Sequence, residues 1–164
     1  MEVYEAVQTA LAVREFRARP VSEDRVHRII ESGRLTGSTM NGQPWHFIVV
    51  RDRGVLSKLG KLVDSGSYNA QAAFAVVVAI NKSSPFGISD ASRAIQSMVL
   101  AAWSEGIGSN WTGWAGMTKV ACLLGIPEYL DVIAVMPFGY PAQVRTKGRK
   151  RRKTLSEVAH QERF

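Results

Sequence analysis

The sequence lacks the features that would place this chain in a membrane or hold it together by disulfide bonds. Cys122 is the only cysteine, so no internal disulfide can form. The best apolar run, Phe74–Ile80, has the length of a β-strand and falls short of the ~20 residues of a membrane-spanning helix. The first residues, Met-Glu-Val-Tyr-Glu, lack the basic and apolar stretches of a secretory signal. We therefore expect a cytoplasmic protein that does not contact a membrane.

The sequence also lacks the motifs of several common enzyme classes. It contains no Ser-His-Asp set, no paired carboxylates and no glycine-rich phosphate loop. His27 and His160 have no Asp or Cys pattern near them, so no metal site is expected. These absences leave open an enzyme whose chemistry is carried out by a bound organic cofactor.

The positive charge comes from one segment. The net charge is +7, and seven of the nine residues from Arg145 to Lys153 are Lys or Arg. Removing those 7 from the total of 21 leaves 14 basic residues against 14 acidic ones. Residues 145–153 are therefore predicted to meet an anion, such as a phosphate, a nucleic acid or a membrane surface. The 164 residues and the ordinary apolar content of 46% predict one domain, residues 1–164, with this basic segment near its end.

Hydrophobic spacing predicts a mixture of helices and strands. The mixture shows no clean alternation, which favours an α+β fold over a doubly wound one. Cys122 lies among apolar residues of a predicted helix and is expected to be a small buried hydrophobe. Residues 106–116 are rich in glycine and tryptophan and are predicted to form a loop that brings backbone close to a ligand. Helices are predicted over 2–13, 22–33, 55–62 and from Asp90 and Thr118, and strands over 46–50, 74–80 and 130–135.

One loop carries a specific motif. Residues 38–45, Ser-Thr-Met-Asn-Gly-Gln-Pro-Trp, resemble the Ser-x-x-Asn-x-Gln-Pro-Trp signature of the FMN-binding nitroreductase family. Further segments resemble the family in the same order along nearly the whole chain. Each segment is short, and it is their order that makes the set specific. They lie at residues 13–21, 90–109, 124–127, 139–141 and 152–160.

The resemblance implies a fold, a cofactor and an activity. The implied fold is α+β, with a central mixed or antiparallel sheet wrapped by helices, in an obligate homodimer that binds two FMN molecules between its subunits. The implied reaction is ping-pong electron transfer from NAD(P)H to nitroaromatics, quinones or another small electrophile. The resemblance chooses neither NADH nor NADPH, and it does not name the physiological acceptor.

The resemblance also assigns roles to individual residues. By its place in the motif, Arg14 approaches the N1/O2 edge of the flavin, where a fixed guanidinium stabilises negative charge on the reduced ring. Ser38, Asn41 and Gln43 belong to a loop that reaches the flavin of the other subunit. Cofactor contact is likewise implied for Thr112 and Gly113, with the backbone of Gly113 and Trp114 beside the flavin N5, so that no side chain is assigned a catalytic role.

The sequence departs from the family pattern at its phosphate site. Family members carry Arg, then Arg or His, then Ser where this chain has Ala10-Leu11-Ala12. The basic segment lies where the family places further phosphate ligands, which makes Arg149, Arg151 and Arg152 the candidates to compensate. The alternative is that these arginines form a solvated tail. The sequence leaves open whether the missing ligands weaken or abolish FMN binding.

Two other functions remain open at this stage. One is a specialised relative of the same fold that processes flavin or a peptide-derived substrate. The other is a domain that has lost its flavin and binds an anionic partner through residues 145–153. Nucleic acid is the less favoured of its partners. A flavin absorption band would separate the enzyme from the flavin-less domain, whereas salt-sensitive retention on heparin without flavin would favour the latter.

Overall fold

The computed structural model describes residues 1–64, 66–114, 117–143 and 150–164. These residues form an α+β fold, as the sequence predicts. Three short 3-10 turns, Thr39–Asn41, Ser67–Gln71 and Leu155–Glu157, lie in the connections and near the end of the chain. The helices are α1 Val3–Thr9, α2 Glu23–Arg34, α3 Arg53–Leu62, α4 Gly87–Ser104 and α5 Thr118–Leu124, and the strands are β1 Trp45–Val50, β2 Phe74–Asn81, β3 Gly108–Ser109 and β4 Leu130–Gly139.

The four strands form one antiparallel sheet in the order β1-β2-β4-β3. The two inner strands, β2 and β4, are buried along nearly their whole length. Their continuous apolar sequences follow from this position, because helices cover both faces of the sheet. Of the mixed or antiparallel sheet that the family resemblance implies, the antiparallel form is present in the described residues.

Alternate side chains of β2 enter two different cores, as the twofold period of a strand requires. Val76 and Val78 pack on one face of the sheet with residues of α2 and α4, including Ile29 and Met98. On the opposite face, residues of β2 such as Val77 pack with side chains of α3 and α5. Each such fully buried side chain contributes roughly 1.5–3 kcal/mol of hydrophobic stabilisation.

An extended segment, residues 10–17, follows α1 and is hydrogen-bonded to the β3 edge of the sheet and to the residue after β4. The Val13 N–H donates to the Ser109 carbonyl at 2.9 Å, and the Arg17 N–H donates to the Tyr140 carbonyl at 2.8 Å. The side chains of Val13 and Phe16 are buried. This N-terminal segment therefore behaves as part of the core although it belongs to no regular strand.

Two glycines make room for this segment. Gly108 and Gly139 face each other across β3 and β4. A Cβ atom on Gly108 would overlap the Val13 side chain, and one on Gly139 would lie 2.9 Å from Cδ1 of Phe16. Real Cβ atoms essentially never lie that close to another heavy atom. The N-terminal segment can therefore pack on the sheet only because both positions lack a side chain.

Three local predictions are corrected by the structure. The first helix ends at Thr9 instead of extending to residue 13, because the following residues bond to the sheet. β1 is an edge strand with exposed His46 instead of a fully buried one. Cys122 is exposed, because it lies two residues from the buried Val120 and so on the opposite side of α5.

Candidate functional site

The first candidate site is a cavity of about 320 Å³ that is lined by residues from near both ends of the chain. Ala10, Leu11 and Ala12 line one part of it, and Lys150 and Arg152 line another. Residues of α4 and the Asn110–Trp111 loop complete its wall. We call it the tail cavity. It brings cations of the C-terminal basic segment to the same residues, 10–12, where the family pattern has polar phosphate ligands and this chain has none.

Lys150 is held in place at this cavity. Its Nζ donates to the Val7 carbonyl oxygen of α1 at 2.5 Å. Burial lowers the pKa of Lys150, and the positive charge of Arg152 lowers it further. An anion bound between these two cations would relieve their repulsion and form charge-assisted hydrogen bonds with both. The sequence pattern does not single out Lys150, whose only local signal is its membership of the basic segment.

The other predicted cations of the basic segment differ in position. Arg152 is exposed and lines the tail cavity, and its Nη1 also donates to the Arg151 carbonyl at 2.9 Å. Arg151 is exposed and is not among the residues that line the cavity. Arg149 lies outside the described residues. Of the three predicted arginines, the structure thus brings Arg152 to the candidate site.

Arg14 lines a smaller cavity of about 220 Å³ next to the first. The two cavities share Leu11 and Ala12 as lining residues. Trp103 and Glu15 also line the smaller cavity, which we call the Arg14 cavity. Arg14 and Arg152 therefore lie at two adjoining cavities that share residues of the N-terminal segment.

Thr112 is locked into the sheet at the start of the predicted flavin loop. Its N–H and its Oγ1 both donate to the Val135 carbonyl, at 3.0 and 2.6 Å, and its own carbonyl accepts from Val135 N–H at 2.8 Å. Oγ1 also accepts a 3.2 Å hydrogen bond from Nδ2 of Asn69. The following residue, Gly113, has a left-handed backbone with φ of 73°, and a Cβ there would meet Met117 and Val63. Only glycine fits this position.

Asn69 is a polar residue of the core that no sequence motif indicates. It is fully buried, and Nδ2 also donates to the Gly66 carbonyl at 2.8 Å. Its Oδ1 is buried and has no hydrogen-bond partner among the described residues. Such an orphaned acceptor costs about 1–3 kcal/mol. The Oδ1 atom therefore lacks the hydrogen bond that a buried amide oxygen usually accepts, and a polar loop before a strand gives no sequence signal of this.

Trp111 and Trp114 flank Thr112 and Gly113. Their rings lie 6.5 Å apart between centroids, and the Trp111 Nε1 donates to the Gly113 carbonyl at 3.2 Å. Trp111 lines the tail cavity, whereas Trp114 is 75% exposed. The loop thus connects the wall of the tail cavity to an aromatic surface. Thr112 and Gly113 line neither of the two cavities.

The loop that carries the family motif has an unusual backbone. Met40, Asn41 and Gln43 have positive φ values of 51°, 56° and 43°, a conformation that costs of order 1 kcal/mol or more for residues other than glycine. The Gln43 N–H donates to Oγ of Ser38 at 2.9 Å, which helps to hold the turn. Asn41 and Gln43 are exposed, and neither they nor Ser38 line the two cavities of the same chain.

Asp90 fixes this loop to α4. The buried carboxylate accepts from the Thr39 N–H at 3.0 Å and from its Oγ1 at 3.1 Å, and it pairs with Arg93. Burial raises the pKa of Asp90, but the hydrogen bonds from Thr39 and Arg93, and the charge of Arg93, together hold it below its ordinary value. Asp90 lies inside α4, which begins at Gly87, so the prediction that it starts the helix is corrected.

Two other features are absent from the described residues, 1–64, 66–114, 117–143 and 150–164. No group of three or more His, Cys, Asp or Glu side chains there is arranged to hold a metal ion. No helix in the same residues is long and apolar enough to cross a bilayer.

Comparison with known proteins gives consistent matches. The sequence profile of the Nitroreductase family matches residues 10–82 and 68–140. A protein of Methanothermobacter thermautotrophicus, named as a candidate NADH dehydrogenase/NAD(P)H nitroreductase, is 34% identical over 151 residues, which cover 87% of this chain and 79% of that one.

Solved structures match over most of the chain. An FMN-dependent nitroreductase of Clostridium difficile has a TM-score of 0.89 at 22% identity, covering 97% of this chain and 98% of that chain. An NADPH:FMN oxidoreductase of Vibrio harveyi, solved with NAD⁺, has a TM-score of 0.86 at 24% identity, covering 99% of this chain and 77% of that chain. At these identities the two structures establish the shared fold.

Proposed function

Because the chain belongs to the nitroreductase family of enzymes, we propose that it is an FMN-dependent oxidoreductase. It transfers electrons from NAD(P)H to a nitroaromatic, a quinone or a similar small electrophile, with the donor and the acceptor reacting in turn. The proteins that share its fold include an FMN-dependent nitroreductase and an NADPH:FMN oxidoreductase, which supports both the cofactor and the donor.

The observation that carries this proposal is the pairing of residues 10–12 with Lys150 and Arg152 at the tail cavity. The family resemblance assigns the phosphate site to residues 10–12, and those residues here are apolar. Two cations from the other end of the chain line the same cavity, so the loss of the usual ligands is accompanied by a substitute. This arrangement favours retained FMN binding over a flavin-less domain.

The remaining residues offer the other contacts that FMN needs. Arg14 would lie at the pyrimidine edge of the ring and hold a positive charge there, which favours the reduced form. Thr112 and Gly113 lie in the loop that the family resemblance places beside the flavin ring. When bound, the flavin would supply the hydride and electron chemistry, and the protein would position it and tune its charge.

The second half of each site would come from a partner subunit. Ser38, Asn41 and Gln43 line neither cavity of their own chain, and the adjacent Met40 is 96% exposed. A large apolar side chain left almost wholly in water next to polar side chains fits an interface with a second copy. We therefore propose a homodimer, working in the cytoplasm, in which this loop completes the flavin site of the partner.

Two measurements test the proposal. The purified protein, with and without added FMN, should show a flavin absorption band that remains after desalting, and NAD(P)H should bleach that band. Light scattering should give about twice the chain mass of 18.0 kDa at low concentration. A protein that retains no flavin yet elutes from heparin only at raised salt would instead support the anion-binding alternative.

A further inference from the structure

A third cavity, of about 670 Å³, shares no lining residue with the tail cavity or the Arg14 cavity. It lies between residues 16–21, the residues that begin α3, and residues 70–74, which lead into β2. Four arginines line it, and we call it the arginine cavity. They are Arg17, Arg19, Arg51 and Arg53.

Three of these guanidinium groups are held by neutral partners. Arg53 donates to the carbonyl oxygens of Ala72 and Ala70, at 2.6 and 2.5 Å. Arg17 Nε donates to the Pro141 carbonyl at 2.9 Å, and the Arg19 guanidinium lies 4.2 Å from the centroid of the Tyr140 ring. Carbonyl groups and ring faces orient a cation without cancelling its charge.

The charge of the cavity is therefore largely uncompensated. No acidic side chain is among its lining residues in the described part of the chain. Arg51 pairs with Glu23, but the Glu23 side chain is 81% exposed, and exposed ion pairs contribute little. Bringing several like charges to one concave surface is unfavourable unless an anion occupies it.

We propose that the arginine cavity binds a phosphate-bearing anion at a site separate from the flavin cleft. Guanidinium groups bind phosphate oxygens through paired hydrogen bonds, and four of them suit a ligand with at least two phosphate groups. The volume lies within the range of small-molecule sites. Buried Phe16 and Phe74 add apolar lining, which fits a phosphate carried on an organic group.

Two kinds of ligand could supply the phosphate groups, and the experiment distinguishes them. The phosphate groups belong either to the nicotinamide dinucleotide that donates electrons or to a free oligophosphate. The donor source rests on the proposed function, whereas the existence of the site does not. Pyrophosphate is therefore the first probe, because its binding can be measured without flavin, donor or turnover.

The test is calorimetric titration of pyrophosphate into the parent and three variants. Replacing Arg19→Gln and Arg51→Gln together should weaken binding about tenfold or more, since two charge-assisted contacts are lost. The matched control, Arg28→Gln with Arg34→Gln, removes the same charge from arginines outside the cavity and should change the affinity about twofold at most. Glu23→Gln should strengthen binding, because it frees Arg51 from its ion pair. A gain of affinity cannot result from misfolding.

Three results would overturn the proposal. They are no pyrophosphate binding by the parent at millimolar concentration, an equal loss in the control pair, and binding that disappears when the protein is saturated with FMN. The last would place the anion in the flavin cleft.

Steady-state kinetics then identifies the source. If the donor occupies the cavity, the Arg19 and Arg51 variant should raise KM for NAD(P)H at unchanged kcat, and pyrophosphate should compete with the donor. If a free oligophosphate occupies it, KM for the donor should stay at the parental value. Both outcomes retain the site. If the purified protein showed no flavin absorption band, the proposed reaction would be wrong. The pyrophosphate titration would still test the anion site.

Discussion

The N-terminal segment, residues 10–17, and the C-terminal tail, residues 150–164, both bring cations to the candidate site, but the fold holds them differently. The segment is bonded to the sheet through its backbone and buries Val13 and Phe16. In the tail, residues 151–164 are exposed, and Lys150 makes the contact with α1. A cation that stabilises the negative charge developing at one edge of a flavin ring must be held at a fixed position, and a fixed backbone provides this. A phosphate group can be bound by cations on an exposed tail. Stability and reduction rate should therefore depend on the segment, and cofactor affinity on the tail.

The largest expected effect is on stability, where the two regions should differ most. Phe16→Ala should lower the free energy of unfolding by about 3–5 kcal/mol, because it empties a buried position. Phe164→Ala, in the fully exposed end of the tail, should change it by about 0.5 kcal/mol or less. Urea denaturation of the two variants measures the contrast. Similar losses for both would mean that the tail packs as firmly as the segment.

The next effect is on FMN affinity. Replacing Lys150→Gln and Arg152→Gln together should weaken FMN binding about a hundredfold, because two charge-assisted contacts are lost, while leaving the unfolding midpoint nearly unchanged. Riboflavin, which has no phosphate, should bind with parental affinity. Arg151→Gln with Lys153→Gln removes the same charge from residues that do not line the tail cavity and serves as the control. An equal loss in this control would show that the tail acts through its overall charge.

A substitution at Arg14 should affect the rate of flavin reduction more than it affects FMN affinity. Arg14→Ala should slow reduction of the bound flavin by NAD(P)H about tenfold to a hundredfold, because a charge at the ring edge is lost. FMN affinity should fall less than the rate does. Rapid-mixing measurements of flavin bleaching in the FMN-saturated variant, with Arg34→Ala as a control at a distant exposed site, give the rate. Reduction at the parental rate would remove Arg14 from the proposed site.

The smallest effect is a pH dependence of the tail. Because burial lowers the pKa of Lys150, its ammonium group loses its proton at a lower pH than an exposed lysine would. FMN affinity should therefore decline as the pH rises into the alkaline range. In that range, formation of the complex should be accompanied by proton uptake, because the phosphate favours the charged form of Lys150. Lys150→Arg should keep its affinity to higher pH, since a guanidinium stays charged. Identical pH profiles for parent and variant would contradict a role for Lys150 in phosphate binding.

The sequence predicted the parts of the fold that depend on regular hydrophobic spacing. The strands at 74–80 and 130–135 are short continuous apolar runs, the helix that contains Met98 has helical spacing, and all three are buried as expected. The early end of α1 depends on a hydrogen bond from Val13 to Ser109, far along the chain, which no local pattern announces. Such pairings are the part of a fold that local periodicity does not encode.

In the candidate site, too, some residues were indicated by the sequence and others depend on contacts between distant parts of the chain. The resemblance to the nitroreductase family pointed to Arg14, to the loop with Thr112 and Gly113, and to the basic segment as a source of cations. Asn69 was missed because its importance arises from burial and from a bond to Thr112, which lies 43 positions away in sequence. Lys150 was missed because seven basic residues in nine positions give no local reason to prefer one, and only the contact with Val7 distinguishes it.

The glycine pair beneath the N-terminal segment has a consequence for how this protein tolerates mutation. Alanine at Gly108 or Gly139 would push against Val13 or Phe16 and lift the backbone that carries Arg14. A genetic screen for loss of reductase activity should therefore recover substitutions at both glycines together with those at Arg14. Neither glycine lines the Arg14 cavity or the tail cavity. Their variants would be mistaken for variants of the proposed flavin site, although what they change is the packing of the N-terminal segment on β3 and β4.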